Sequence, residues 1–228
     1  MCDHQKAIQD FTEVIRLRPD DATAFFNRGV NYTELDDFEN AIRDYTKSLS
    51  LTADNPDTFN HRGISYARLG DHQKAIEDFT EAIRLRPDHA ETHYNLGMSE
   101  AGLGNHLRAV GTFTKANSLM PHVRFRADIR YRRGMSQAKL GNHYMAVKDF
   151  TEAIRLGPVH ADMHYNRGVS RAELGNHSRA VEDFTEAIRL QPEHLDAFQK
   201  QGISQAEMNK PGVIRLVTRI FPRTKPRD

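Results

Sequence analysis

The sequence predicts an all-α solenoid of antiparallel helix pairs, and three observations carry that expectation. The segment DFTEVIRL at Asp10–Leu17 returns as DFTEAIRL at Asp78–Leu85, Asp149–Leu156 and Asp183–Leu190. A glycine recurs at Gly29, Gly63, Gly97, Gly134, Gly168 and Gly202, with spacings of 34, 34, 37, 34 and 34 residues. A period near 34 is that of a helix–turn–helix repeat. Within one period, two apolar stripes at helical spacing are separated by a glycine and closed by a proline.

One copy, residues 56–89, shows how each element arises. Phe59, Gly63, Tyr66 and Ala67 fall at i, i+4, i+7 and i+8, the stripe of an amphipathic first helix. Gly70 supplies a left-handed stop and Asp71 a cap for the second helix. Ala75, Ile76, Phe79, Ala82 and Ile83 then share one face of that helix. Pro87 ends it, and Asp88 is placed to cap the next. Gly63 and Ala75 let the two helices approach, where a larger side chain would overpack the contact.

From the amino terminus, 1–21 holds only a second helix, so either a longer array is cut here or the helix is frayed and exposes Ile8 and Ile15. Repeat 22–55 lacks its closing proline, which moves to Pro56, where Asn55 caps the following helix. Repeats 56–89 and 90–123 follow without interruption. Arg124, Phe125 and Arg126 are then inserted, lengthening a loop or adding a helical turn before 127–160. Repeat 161–194 is regular. The last, 195–228, keeps Gly202 but places Ile214 where a small alanine belongs, and Pro222 interrupts its second helix.

Numbered 1–34, the repeat carries Ala7, Ala41, Ala75, Ala109, Ala146 and Ala180 at position 20. Position 24 carries Phe11, Tyr45, Phe79, Phe113, Phe150 and Phe184, and position 32 carries Pro19, Pro87, Pro121, Pro158 and Pro192. Nearly the whole chain therefore resembles the tetratricopeptide repeat family. The resemblance implies a right-handed superhelical solenoid whose first helices line a concave surface, and a scaffold that binds an extended or helical peptide. A structural spacer, a self-assembly module joined weakly through uncapped ends, or the regulatory segment of a longer protein are the alternatives.

Family geometry directs attention to positions 2, 5, 6, 9, 12 and 13. Position 5 carries Phe26, Tyr94, Tyr131 and Tyr165, interrupted by Asn60 and Gln199; position 6 carries Asn27, His61, Asn95, Arg132, Asn166 and Lys200. Position 2 is mostly acidic, with Asp57, Glu91, Asp128, Asp162 and Asp196. Aromatic faces supply contact area, and each Asn offers donors and an acceptor to a ligand backbone. Asn27, Asn95 and Asn166 are expected as main-chain anchors. Packing across repeats and inheritance by duplication are the structural alternatives. A carboxylate clamp of the co-chaperone kind needs Lys at 5 and Asn at 9, which this sequence lacks, and Asp128 stands where the clamp needs Lys.

Other chemistry is excluded on residue grounds. A formal charge of +1 lacks the basic footprint of a duplex nucleic-acid binder. No apolar run reaches the roughly 20 residues of a membrane span, and the amino terminus has no leader-like stretch, so a cytoplasmic protein is expected. Cys2 is the single cysteine and excludes an internal disulfide. His4, His72, His106, His143 and His177 recur once per repeat, about 10 Å or more apart, so they do not converge as metal ligands. With no phosphate loop and no catalytic constellation, neither enzyme activity nor a cofactor is expected. Two basic places break the symmetry. Arg124, Arg126, Arg130, Arg132 and Arg133 surround the insertion, and Arg132 there is placed to pair with a ligand carboxylate or phosphate. The tail carries Arg215, Arg219, Arg223, Lys225 and Arg227, and reads as a decayed terminal repeat or a membrane- or partner-docking helix.

Overall fold

The computed structural model describes residues 3–157 and 160–210, apart from the side chains of Val123 and Arg124. Expectations that fall on Cys2, Arg124, Pro158 and the tail after Lys210, including Ile214 and Pro222, lie outside the described residues. Among the described residues there are twelve helices and no strand. The chain divides into two compact lobes, 1–121 and 122–228.

The first lobe runs α1 (His4–Leu17), α2 (Ala22–Glu34), α3 (Phe38–Leu51), α4 (Pro56–Arg68), α5 (His72–Leu85), α6 (Ala90–Gly102) and α7 (His106–Leu119). Helices α2/α3, α4/α5 and α6/α7 pack as hairpins, and α1, α3 and α5 also pack on the first helix that follows each of them. In the second lobe, α8 (Val123–Lys139) pairs with α9 (His143–Leu156), α10 (Ala161–Glu173) with α11 (His177–Leu190), and α12 (Leu195–Met208) leans on α11. This is the all-α solenoid expected from the period.

Three local expectations are corrected or resolved. Helix α1 is not frayed: Asp3 caps it by accepting from Lys6 N at 3.1 Å, and Ile8 and Ile15 are half-buried. The insertion is helical, since α8 has 17 residues where α6 and α10 have 13. The N-cap position of α6 is His89 rather than Asp88, and it has no side-chain cap. A capping oxygen must reach an N–H two or three residues on. Asp88 sits one residue too early, and His89 Nδ1 lies instead 2.7 Å from Thr92 Oγ1.

The turn inside each hairpin is closed by a pair of backbone bonds that need a left-handed residue. In repeat 56–89, Gly70 N donates to Ala67 O and Asp71 N to Tyr66 O, with Gly70 at φ 82°. Gly104, Gly141 and Gly175 repeat this at φ 73–77°. In repeat 22–55 the same turn is made by Asp36 at φ 57°, a conformation that L-residues adopt at a cost. Asp36→Gly removes that strain and also an exposed ion pair to Arg68 at 3.1 Å. Because an exposed pair contributes about 0–1 kcal/mol, the substitution is expected to raise the melting temperature slightly. A fall, measured by circular dichroism, would show that the Arg68 contact outweighs the strain.

Packing between paired helices rests on one contact repeated five times. A Cβ at Gly29, Gly63, Gly97, Gly134 or Gly168 would stand 2.7–2.8 Å from the ring at position 24 of the same repeat. Those rings, Tyr45, Phe79, Phe113, Phe150 and Phe184, are buried, as are Ala41, Ala75, Ala109, Ala146 and Ala180 beside them. Tyr45 is the one with a hydroxyl, and its Oη lies 3.0 Å from Thr33 Oγ1. Burial, partly offset by that hydrogen bond, pushes the Tyr45 phenol up to about 12. The unfolded phenol titrates near 10. Its contribution to stability is therefore full below about pH 10 and is lost as the pH rises toward 12. Tyr45→Phe is expected to lose about 1 kcal/mol at neutral pH and to narrow the alkaline loss of stability. Equal alkaline losses in both proteins, followed by thermal melts, would contradict this.

Beneath these rings runs a ladder of buried ion pairs. Arg28 donates to both oxygens of Asp44 at 2.7 and 2.8 Å, and Arg62 to Asp78 at 2.8 and 2.7 Å. Arg133–Asp149 and Arg167–Asp183 repeat the bidentate arrangement. Arg28, Arg62 and Arg167 also donate to the threonine of the preceding repeat, Thr12, Thr46 and Thr151, and so tie neighbours together. Repeat 90–123 has Leu96 and Thr112 at these two places. There Glu100, also buried, accepts from Thr112 Oγ1 at 2.7 Å and pairs with Arg108.

Candidate functional site

The first helices lie side by side within each lobe: α2, α4 and α6 in the first, α8, α10 and α12 in the second. Each lobe therefore presents its own first-helix face. Position 5 of one helix reaches the next first helix about 35 residues on. In the first lobe, the Phe26 ring meets His61 edge-on at 5.4 Å. Burial holds the His61 imidazole below its ordinary range, against the opposing pull of Asp57, Glu91 and Glu34. Asn60 is buried, and its Oδ1 accepts from Thr92 Oγ1 at 3.1 Å and from Asn95 Nδ2 at 3.4 Å. Tyr94 is half-buried over Phe113, 6.0 Å between centroids. Asp57 is held by Arg86, with bonds of 2.7 and 2.9 Å, which keeps its carboxyl below the usual range.

The second lobe has the same staircase with different groups. Asn166 Nδ2 donates to Tyr131 Oη at 3.0 Å and to the Asp162 carbonyl at 2.8 Å. Both amide hydrogens of Asn166 are thereby committed, and its Oδ1 remains an acceptor. Arg132 stands over the Tyr131 ring, 5.8 Å to its centroid, and lies 3.6 Å from Asp128 while 42% of its side chain stays exposed. Of the arginines around the insertion, Arg130 and Arg133 turn instead to buried Asp149. Tyr165 stacks on His194 at 4.7 Å, and His194 Nε2 lies 3.5 Å from Asp162. Lys200 is half-buried on α12. An open depression of 420 Å³ is lined by Asp162, Gln191, Glu193, His194, Leu195 and Asp196.

The sequence-derived residues thus fall into groups. Phe26, Asn27, Asn60, Tyr94 and Asn95 belong to the first-lobe face, and Tyr131, Arg132, Tyr165, Asn166 and Lys200 to the second. Asn60 is inside the face rather than on it, spent on orienting Thr92 and Asn95. Asn95 and Asn166 each give part of their hydrogen-bonding capacity to a neighbouring helix and keep part of it. Sequence reasoning missed His61 and His194 as aromatic partners of Phe26 and Tyr165. Their signal was present, since each stands where a ring on the preceding first helix can reach it. Among the described residues no three His, Cys, Asp or Glu side chains converge to hold a metal, and no helix is long and apolar enough to cross a membrane.

Relatives match on both sequence and fold. Family models described as tetratricopeptide repeat match residues 56–89 and 131–194, and one described as TPR repeat matches 31–70. The crystal structure of YrrB, described as a TPR protein with an unusual peptide-binding site, aligns with a TM-score of 0.75 at 26% identity, covering 84% of this chain and 97% of that one. The MamA protein aligns with a TM-score of 0.70 at 24% identity over 77% of this chain and 94% of its own. MamA from Desulfovibrio magneticus RS-1 gives 0.70 at 21%, over 76% and 96%. These last two carry the fold alone. No curated protein matches the sequence.

Proposed function

Because this chain belongs to the tetratricopeptide repeat family, we propose that it is a protein-interaction scaffold whose first-helix faces bind an extended or helical peptide by reversible contacts. The observation that carries this reading is the half-spent polar staircase. Asn166 has its donors fixed by Tyr131 and Asp162 and offers a positioned acceptor. Such an acceptor suits the backbone N–H of a ligand, because the amide is already oriented and little further ordering is lost on binding. Tyr131 and Tyr165 flank it with rigid apolar area, and Arg132, paired with Asp128 at 3.6 Å but with 42% of its side chain exposed, presents a guanidinium that a ligand carboxylate can share. In the first lobe Phe26, Asn27, Tyr94 and Asn95 offer the same chemistry, with Asn60 as the buried support.

The peptide-binding site of the YrrB neighbour supports a peptide as the occupant.

The test is a peptide library displayed on phage and selected on the folded chain. Binding of the selected peptides is then measured for Phe26→Ala/Asn95→Ala and for Tyr131→Ala/Asn166→Ala. One of the two variants is expected to weaken binding at least about tenfold with its helicity intact, since hot-spot truncations cost about 2 kcal/mol or more. Full affinity in both would overturn the reading.

A further inference from the structure

The first-lobe face carries a charge that its own residues leave unbalanced. At repeat positions 2, 5, 6, 9, 12 and 13, helices α2, α4 and α6 bring three carboxylates, Glu34, Asp57 and Glu91, and one permanent cation, Arg68. Arg68 is spent at the α2–α3 turn, where it donates to Asp36 at 3.1 Å and lies over the Phe38 ring. All three carboxylates are exposed, and the charge of each reaches the half-buried His61 ring. His61 does not balance them, because burial outweighs their pull and holds the imidazole below its ordinary range.

Comparison between repeats shows which carboxylates lack a partner. Asp57 is held by Arg86 of its own repeat, at 2.7 and 2.9 Å. One repeat on, the same two places hold Glu91 and Met120, so the carboxylate is kept and the arginine is not. Exposed glutamates of the second helices are paired with an arginine three residues on, Glu13–Arg16 at 2.6 Å and Glu81–Arg84 at 2.7 Å. Glu91 has Tyr94 and Asn95 three and four residues on, and Glu34 has Asp37 and Phe38. Among the described residues neither Glu34 nor Glu91 forms an ion pair. The imbalance extends through the lobe: residues 3–121 carry 19 Asp and Glu against 13 Lys and Arg, in a chain with 31 against 32.

This rests on peptide binding at the faces, and within it we infer that the first lobe selects basic peptides, whose lysine or arginine side chains meet Glu34 and Glu91 around the Phe26–His61 ring pair. The half-buried Phe26 ring supplies a face that attracts a cation as well as apolar area. An acidic peptide would set its carboxylates against two that are already unpaired, and juxtaposed like charges are repelled. The summed field of the lobe acts in the same direction on approach. The second-lobe face differs, with Arg132 and Lys200 at position 6 where the first has Asn27, His61 and Asn95.

The test selects a random peptide library on phage against the full chain, and measures the synthetic peptides that it yields by fluorescence anisotropy. Peptides lost in Phe26→Ala/Asn95→Ala are expected to be enriched in lysine and arginine, and to bind more weakly as salt is raised. Glu34→Gln/Glu91→Gln keeps side-chain size and removes both charges. It is expected to weaken those peptides about tenfold, with an unchanged or higher melting temperature. Glu91→Lys is expected to weaken them as well, and a lysine-to-glutamate exchange in the peptide to recover part of that loss. First-lobe binders without basic enrichment, or equally tight on Glu34→Gln/Glu91→Gln, would overturn this inference and leave peptide binding standing. Binders lost in Tyr131→Ala/Asn166→Ala alone would do the same. Binders lost in neither face variant would overturn both.

Discussion

Arg62→Leu is expected to destabilise the first lobe by about 3–5 kcal/mol, the cost of leaving one member of a buried ion pair without its partner. Asp78 keeps only 7% of its side chain exposed, and burial already pushes its carboxyl above the usual range, against the pull of Arg62. Without the guanidinium, Asp78 must either remain charged in a poor solvent or take up a proton. Asp78→Thr alone strands the arginine instead and is expected to cost a similar amount. The informative protein is the double variant Arg62→Leu/Asp78→Thr. Repeat 90–123 already carries Leu96 and Thr112 at these two places and folds into the same hairpin. The double variant is therefore expected to be more stable than either single one, with a coupling of at least about 1.5 kcal/mol. Additive losses in chemical denaturation would show that the pair contributes little as a pair.

Phe184→Ala is the other large effect, expected at about 3–5 kcal/mol for a ring removed from a full core. The ring is completely buried and lies against the Gly168 backbone so closely that a Cβ there would be 2.8 Å away. Gly168→Ala alone is expected to cost about 1–3 kcal/mol by overpacking. Together the two changes should cost less than their sum, because the new methyl group enters space that the ring has left. Repeat stability is approximately a sum of units and neighbouring interfaces. The loss should then appear as earlier melting of the second lobe, visible by hydrogen exchange in α10 and α11 before α8 and α9. Uniform exchange across the lobe would argue that it unfolds as one cooperative block.

These two contacts were legible to different degrees. Close helix approach at Gly63 was legible from its phase, but the sequence set it against Ala75; the group that meets Gly63 is the Phe79 ring, 2.8 Å from where a Cβ would stand. The ion pair did not follow, because Arg62 and Asp78 sit on different helices and the acidic residue reads as part of a uniform DFTEAIRL segment. Its signal lay in comparing repeats: Arg and Asp occur 16 apart in four of them, and both are replaced together at Leu96 and Thr112. Asn60 was similarly opaque. Position 5 placed it on the face, but burial there depends on Thr92 and Asn95 from the next helix, which one helix's pattern cannot reveal. Asp36 broke the glycine pattern at a turn whose backbone bonds still demand a positive φ. The insertion could be loop or helix on spacing alone. Its residues are compatible with helix, and α8 extends by one turn.

What the faces do depends on whether their amides are anchors or only mortar between helices. The direct measurement is the side-chain NH₂ resonances of Asn27, Asn95 and Asn166 by nuclear magnetic resonance, during titration with a peptide selected on the folded chain. Direct contact is expected to shift or broaden at least one of these pairs in proportion to occupancy, together with Tyr131 or Tyr94 ring signals from the same lobe. Saturating peptide that leaves all three amides unmoved, while shifting residues of the second helices, would place binding on the opposite face and contradict the account.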